Sequence, residues 1–516
     1  MKESFDQREY GDYQTPPQFA SDVCKYIKKY IGSNFDICIE PTCGTGNFVI
    51  NGMKFFPNAR HIAIEINPIY LDTLRKQINN TNFHIELINQ DLFKLNFNNL
   101  LSNDDYSKNI LVYGNLPWVN NSTLSVLNSN NIPQKINFKN LKGIEAITGS
   151  SNFDICEYML LKLIKYFQNS RTTIVMLCKT IVAKNVFEEL HRESIGFSFA
   201  RVLLFDAKDI FNISASSCIF VVQLDCNSLP QNNCSVSNFE NPENIIYQFG
   251  YLKNKFYSNL SKKIPIIDGK CCFEWRQGIK HDCAKIMELT QMPDGLYNGL
   301  REKVNIEETY VYPLIKSSKI KKCLICSTDK RVLVTQKHTN EKTEFIRYLA
   351  PLTWKYLNDH MEYFDARKSS IYRNSPEFSM FGIGDYSFSK YKVGISGFYK
   401  DPIFSLICSE KPCMMDDTCY FLGFNQYDEA YIVMLILNSR VVQDFIKSVA
   451  FLDTKRPYTK KVLSRIDIAK CLTAISYREL LITEKNLLLK PKLTEVMYKN
   501  FASLVNYKTE KIKLAI

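Results

Sequence analysis

The sequence has no apolar run near the ~20 residues that a membrane-crossing helix requires. Its longest is centred on Tyr431–Leu437, so no membrane partner is expected. The N-terminal stretch MKESFDQREYGDYQTPP is polar and lacks the apolar segment of a secretion signal. Histidine and tryptophan are scarce, at six and three residues. There is no internal repeat, no nuclease signature, and no stretch left over for a nuclease domain. Cysteine is the exception to this sparseness. Seventeen is a high and odd number, and without an export signal it reads as reduced, small core residues of a cytoplasmic protein rather than a disulfide framework.

What is present suits a large globular chain. At about 150 residues per domain, 516 residues allow two to four domains. With 45% apolar residues the core needs no disulfide staples. The net charge of +12 is uneven: residues 1–250 carry −2 and residues 251–516 carry +14. Such asymmetry points to a polyanion contact on the C-terminal half, or to a solvated basic surface on a Lys-rich chain.

The first half alternates strand and helix patterns. Strands are expected at Phe35–Ile39, His61–Glu65, Phe83–Ile88, Asn109–Tyr113, Thr172–Cys178, Arg201–Phe205 and Cys218–Leu224. Ile155, Met159, Leu160, Leu163 and Phe167 recur at helical spacing, with Lys162 and Lys165 between them. This alternation predicts an α/β domain on a mostly parallel sheet. The short gap between the last two strands predicts an antiparallel ending. Residues 226–246 are rich in Asn, Ser and Pro and read as a linker. Domains are therefore expected at 1–225 and 247–516. The second is irregular, aromatic and strand-like, with helical patterns at Tyr427–Phe445 and a basic tail from Lys485.

Four strand ends carry the chemistry. IEPTCGTGNF (Ile39–Phe48) is a Gly-rich turn between a strand and a helix, where a cofactor can approach the backbone. Val49 stands where a dinucleotide fingerprint needs its third Gly, and no Lys follows as in a P-loop. Glu40 and Pro41 suit a cofactor with a cationic amino-acid end. Glu65, ending the second strand, can accept both hydroxyls of a ribose, and Asp91, beyond the third, can accept an adenine amino group. After the fourth strand comes NLPW, Asn115–Trp118. Asn115 Oδ1 and the Leu116 carbonyl can hold the two hydrogens of an exocyclic amine, Pro117 fixes the backbone, and Trp118 offers a stacking face. Each of these features alone also fits an ordinary tight turn, a solvated strand end or a capped loop.

Taken in order, the motifs resemble those of the gamma-class, S-adenosylmethionine-dependent DNA adenine-N6 methyltransferases of type II restriction–modification systems. YGDYQTPPQFASDV is similar to the motif ahead of the cofactor loop, EPTCGTGNF to the loop, and NLPW to the catalytic tetrapeptide. SNFDICEYMLLKLI resembles the next helix motif, and FDAKDIFNISASSCIFVVQ the motif that sets Phe211 against the target base. EWRQGIKHDCAKIMEL and RKSSIYRNSPEFSMFGIGDYSFSKYKVGISGFY resemble a target-recognition region. The resemblance implies a class I methyltransferase (Rossmann-like) domain with a seven-stranded sheet, followed by a mixed α+β DNA-recognition domain. It implies S-adenosylmethionine held by Thr15, Glu40, Cys43, Gly44, Gly46, Glu65 and Asp91, and catalysis by Asn115, Leu116, Pro117 and Trp118. Trp118 and Phe211 would stack on the base. Double-stranded DNA would meet Arg276, Lys280, Arg367 and Lys368, and any cognate restriction endonuclease would act as a separate protein. The family usually has Pro where Leu116 stands. N-L-P-Y occurs in ribosomal RNA adenine dimethyltransferases, which are much smaller, so an RNA substrate stands as the alternative. A non-catalytic nucleic-acid-binding protein with the same fold is a second one. Cys323 and Cys326 form a lone CxxC near Cys271, Cys272, His281 and Cys283. The second half of a zinc knuckle is missing, and no metal is assigned.

Overall fold

A computed structural model describes residues 13–79, 83–118, 154–260 and 266–514. The ends of two quoted motifs, Tyr10–Asp12 and Ser151–Phe153, lie outside these residues. The chain divides into two compact units, Met1–Ser261 and Lys262–Ile516.

The first unit is built on β1 (Ile37–Glu40), β2 (Arg60–Glu65), β3 (Ile85–Asn89), β4 (Ile110–Asn115), β5 (Thr172–Lys179), β6 (Phe197–Asp206) and β7 (Ser216–Leu224). Their order across the sheet is 3-2-1-4-5-7-6. The first five run parallel, and β7 lies antiparallel between β5 and β6. All seven expected strands are present, and the antiparallel ending is as predicted. β1 is buried at every position and β4 and β5 at all but their last, which is why their sequences run apolar without alternation.

The helices are α1 (Pro17–Tyr26), α2 (Asn47–Phe55), α3 (Pro68–Ile78), α4 (Ile155–Phe167), α5 (Thr180–Arg192) and α6 (Ala207–Phe211). Ile37 and Ile39 of β1 join a core with Leu160, Leu163 and Phe167 of α4 and Val182 and Val186 of α5. Cys38, between them, joins Phe19 and Val23 of α1 and Phe48 of α2 in another core. Neighbouring side chains on β1 thus serve different layers, as the period of two dictates. Each fully buried aliphatic or Phe side chain contributes roughly 1.5–3 kcal/mol. α4 begins at Asp154, whose carboxylate accepts the Cys156 N–H at 3.0 Å and a Lys179 Nζ–H at 2.7 Å. Such caps are worth about 1 kcal/mol.

Two expectations are corrected. Residues 226–246 are not a linker: β8 (Asn233–Asn238), β9 (Asn241–Leu252) and β10 (Lys255–Tyr257) extend the sheet beyond β6 to ten strands. β8 pairs parallel to β6, with Arg201 opposite Ser235, and antiparallel to β9. Only Cys234 and Val236 of β8 enter the core, so an Asn- and Ser-rich composition conceals a paired strand. The unit boundary accordingly moves from about 225–246 to Ser261.

The second unit is mixed α+β. A five-stranded sheet centres on Tyr391–Ser396, flanked by Phe404–Cys408 and Cys419–Phe424. A six-stranded sheet includes Glu288–Met292 paired to Lys330–Leu333. The Tyr427–Phe445 pattern is two helices, Tyr427–Asn438 and Arg440–Val449, separated by Ser439, whose hydroxyl caps the second at Val442 N.

Candidate active site

β1 has β2 on one side and β4 on the other, so the strand order reverses there. Crevices at the carboxyl end of such a switch point are where open α/β sheets bind ligands. A cavity of about 540 Å³ opens at this point, within the roughly 300–1,000 Å³ of small-molecule sites. Thr15, Glu40, Cys43, Gly44, Glu65, Asp91, Asn115 and Pro117 line it. The structure therefore brings together six of the seven expected cofactor residues and two of the catalytic four.

Gly46 is the exception. Its φ is +89°, and a Cβ there would lie 2.3 Å from Leu74 Cδ1. It lets α2 start close to α3 and does not line the cavity. Gly44, at φ +52°, does line it, and a Cβ there would meet Gln14 Oε1 at 2.6 Å. The turn between β1 and α2 is thus kept bare by its ligand side and by its packing side alike.

Glu40 is fully buried at the end of β1, and burial holds its carboxyl well above the usual carboxylate range. The Val49 N–H opposes that shift, and the Glu65 charge adds to it. Glu40 Oε2 has no hydrogen-bond partner among the described residues. Glu65 does more than face a ligand: Oε2 accepts the Gly44 N–H at 2.8 Å and Oε1 the Asn67 N–H at 2.9 Å. It ties the glycine turn to the start of α3. Asp91 Oδ1 accepts the Phe93 N–H at 2.8 Å. Burial pushes the Cys43 thiol up, so it remains protonated.

Asn115 ends β4 with its amide fixed on one side only. Nδ2 donates to the Tyr13 carbonyl at 2.9 Å, while Oδ1 is buried without a partner among the described residues. The Asn115 carbonyl accepts the Thr42 hydroxyl at 3.1 Å. Because Nδ2 is engaged, the oxygen is the end left for a ligand, and an unmade bond at a buried acceptor costs about 1–3 kcal/mol until one arrives. The Leu116 side chain is buried in the core beside α4, so this position can contribute only its backbone to a substrate. Trp118 is buried, with Nε1 unpartnered among the described residues. Its ring meets Phe211 edge-on, with centroids 5.4 Å apart and planes at 66°, and Tyr13 at 6.3 Å. Trp118 and Phe211, expected to act on one base, are adjacent.

Sequence reasoning missed several contributors. Gln14 Oε1 accepts both the Thr45 N–H at 3.1 Å and the Thr45 hydroxyl at 3.0 Å. Asn47 Nδ2 donates to the Thr15 carbonyl at 2.8 Å. The segment Tyr13–Thr15 is thereby clasped to the glycine turn and to the Asn115 amide together. Lys162 reads as a polar residue of α4, yet its Nζ donates to the carbonyls of Leu92 and Phe93, both at 2.7 Å, and Leu95 at 3.2 Å. It pins the loop carrying Asp91. Its position between core residues of α4 was the available signal.

In the second unit Lys280, Arg367 and Lys368 line one recess, and Arg276 does not. Arg276 pairs with Glu274 and lies 4.4 Å over the Tyr386 ring. Arg367 is half-buried, stacked 3.9 Å over Tyr372, and donates to the carbonyls of Phe364 and Ser379. Of the adjacent pair Arg367–Lys368, only Lys368 is exposed and without an ion-pair partner among the described residues. The CxxC supplies Leu324–Ile325 to the five-stranded sheet, paired with Leu406 and Ile407. No three His, Cys, Asp or Glu side chains converge on a metal site among the described residues.

The strand order and the cavity at its switch point are those of a class I S-adenosylmethionine-dependent methyltransferase. The unpartnered Oε2 of Glu40 and the bare glycine turn fit that cofactor. No family model matches the chain. Against curated proteins, it is 41% identical over 470 residues to the Type II methyltransferase M.NspV of Nostoc sp., covering 89% of this chain and 96% of that one. The chain belongs to the type II methyltransferases of restriction–modification systems, and its cofactor is S-adenosylmethionine. Among solved structures it is similar to the Type IIL restriction–modification enzyme MmeI, determined in complex with DNA. The TM-score is 0.53 at 12% identity, over 99% of this chain and 80% of that one, a likeness of fold.

Proposed function

We propose that this protein methylates the exocyclic amino group of adenine in duplex DNA, in the cytoplasm, as a gamma-class enzyme protecting host DNA within a restriction–modification system. The observation that carries this reading is the buried, unpartnered Oδ1 of Asn115 at the cavity rim. An aromatic amine is a poor nucleophile because its lone pair is delocalised into the ring. Asn115 Oδ1 and the Leu116 carbonyl would accept its two hydrogens, drawing the nitrogen towards a pyramidal shape with the lone pair facing the cavity. Bound S-adenosylmethionine supplies an electrophilic methyl on a sulfonium. The chain's residues hold the two reactants in line and exclude water. No general base is needed before transfer, because the nitrogen becomes acidic only once it carries the methyl. The amine is out of reach inside a duplex, so the base must be rotated out. Trp118 and Phe211 would flank it, and entry between them would part rings now in edge contact.

Thr15, Glu40, Cys43, Gly44, Glu65 and Asp91 would hold the cofactor, and the basic second unit, residues 262–516, would bind the DNA. MmeI, a protein of similar fold, was solved with DNA. The test is mass spectrometry of nucleosides from unmodified DNA incubated with protein and cofactor. One 6-methyladenine per target is expected. 4-Methylcytosine would overturn the base assignment, and dimethyladenine in ribosomal RNA, with none in DNA, would favour the alternative raised by Leu116.

A further inference from the structure

The second unit holds a recess of about 810 Å³ that the proposed chemistry does not use. Its lining includes Lys280, Lys316, Arg367 and Lys368, but also Asp282, Glu288, Asp416 and Asp417. Four cations thus face four carboxylates in the basic half of the chain. A surface built to hold phosphates alone would gain from the first set and lose from the second. Equal numbers of donors and acceptors instead match base edges, which present both.

Most of these charges are satisfied internally. Glu288 takes Lys316 Nζ on both oxygens at 2.8 Å. Asp416 Oδ1 accepts the backbone N–H and hydroxyl of Thr418. Arg367 is committed to carbonyls, as described. Lys280 and Asp282 are different. They are partly exposed, and their one mutual contact, Nζ to Oδ2, is long at 3.3 Å. The backbone beneath them is fixed. Lys280 N and O bond reciprocally with Phe381 at 2.8 Å. His281, buried between them, accepts the Cys283 N–H on Nδ1 at 3.2 Å. Burial pushes the His281 imidazole down, so it adds no charge near neutral pH. Asp282 sits at φ +51°, a conformation Asn and Asp tolerate best among residues with a side chain.

We infer that Lys280 and Asp282 read the major-groove edge of a G·C base pair in the recognised DNA sequence. This rests on the reading that the second unit binds the duplex. Guanine offers O6 and N7 as acceptors to an ammonium, and cytosine offers its N4 amino group to a carboxylate. A cation and a carboxylate two residues apart on a fixed turn present that pair of complements. Lys368, exposed on the same rim and without an ion-pair partner among the described residues, contributes charge without reading sequence.

The experiment is methylation of a pool of unmodified duplexes with randomised sites, sequenced to give the preference at each position. The full-length wild-type protein should require G·C at one position at least. Asp282→Asn preserves shape and backbone preference and removes the charge. It should relax that one position by about tenfold to a hundredfold and leave the others unchanged. Lys280→Met should relax the same position, and serves if the first variant fails to fold. Lys368→Ala should weaken binding to all sequences alike and lower the slope of log affinity against log salt by about 0.9. Active Asp282 and Lys280 variants with the wild-type preference would overturn this inference alone. A wild-type protein that methylates no DNA would overturn the reading beneath it as well.

Discussion

In the proposed chemistry, replacing Asn115 with alanine deletes an acceptor for the substrate amine, and with it a donor that holds the N-terminal segment. The two losses fall on different measurements. Oδ1 has no partner among the described residues, so its removal breaks no hydrogen bond described in the resting structure. Its whole contribution lies in the transition state, where loss of one preorganised polar group costs about 10²–10³ in rate, or 2.7–4 kcal/mol. Nδ2 is bonded to the Tyr13 carbonyl at 2.9 Å. Its loss leaves that carbonyl unsatisfied, at about 1–3 kcal/mol of stability. Cofactor affinity should stay within a few-fold, because Glu40, Glu65 and Gly44 are untouched. Single-turnover methyl transfer, with enzyme in excess over duplex, reads the first effect directly. Thermal melting reads the second, and calorimetry the cofactor. A variant retaining more than about a tenth of the wild-type rate would refute the role given to Oδ1. Cofactor affinity falling in step with the rate would refute it too, since Asn115 would then be a cofactor residue.

Glu40, whose carboxyl is raised by burial, contributes stability below the unfolded value of about 4.3 and loses it as pH climbs towards its folded value. Glu40→Gln should therefore stabilise the cofactor-free protein by a margin that widens with pH, and weaken cofactor binding; a melting difference flat between pH 5 and 8 would count against this. Gly46→Ala forces a Cβ to 2.3 Å from Leu74 at φ +89°, and should lower thermal stability by about 1–3 kcal/mol, as overpacking does. The expected accompaniment is only a modest change in cofactor affinity at permissive temperature. Lys162→Met removes three hydrogen bonds to the Asp91 loop. It should raise the KM for cofactor more than it lowers kcat, whereas an unchanged KM would show that the loop holds itself.

The parallel strands were legible because burial on both faces leaves long apolar runs, as in Thr172–Lys179. The strand-end acids were legible because topology places every strand terminus at one rim, whatever its sequence. β8 was not, since Asn233–Asn238 holds only two core side chains and otherwise spells a turn. Gly46 carried the same letter as Gly44 but answers to Leu74, a residue distant in sequence. Tyr13 orients Asn115 through a carbonyl that any amino acid would supply, so no pattern of side chains could reveal it. Arg367 and Lys368 look alike in sequence and differ only in what folds around them.

The three added strands matter for any attempt to isolate the catalytic unit. Within the first seven, β6 would be an edge, its Arg201–Leu204 backbone unpaired where β8 now lies. Bare strand edges invite pairing with other copies. β8 covers it and is paired in turn by β9, of which β10 covers Gly250–Leu252. A fragment cut at residue 225 would bare the Arg201–Leu204 edge of β6 to its neighbours, and one ending near 260 would keep that edge paired to β8. The segment that looks most dispensable in composition is the one that closes this edge.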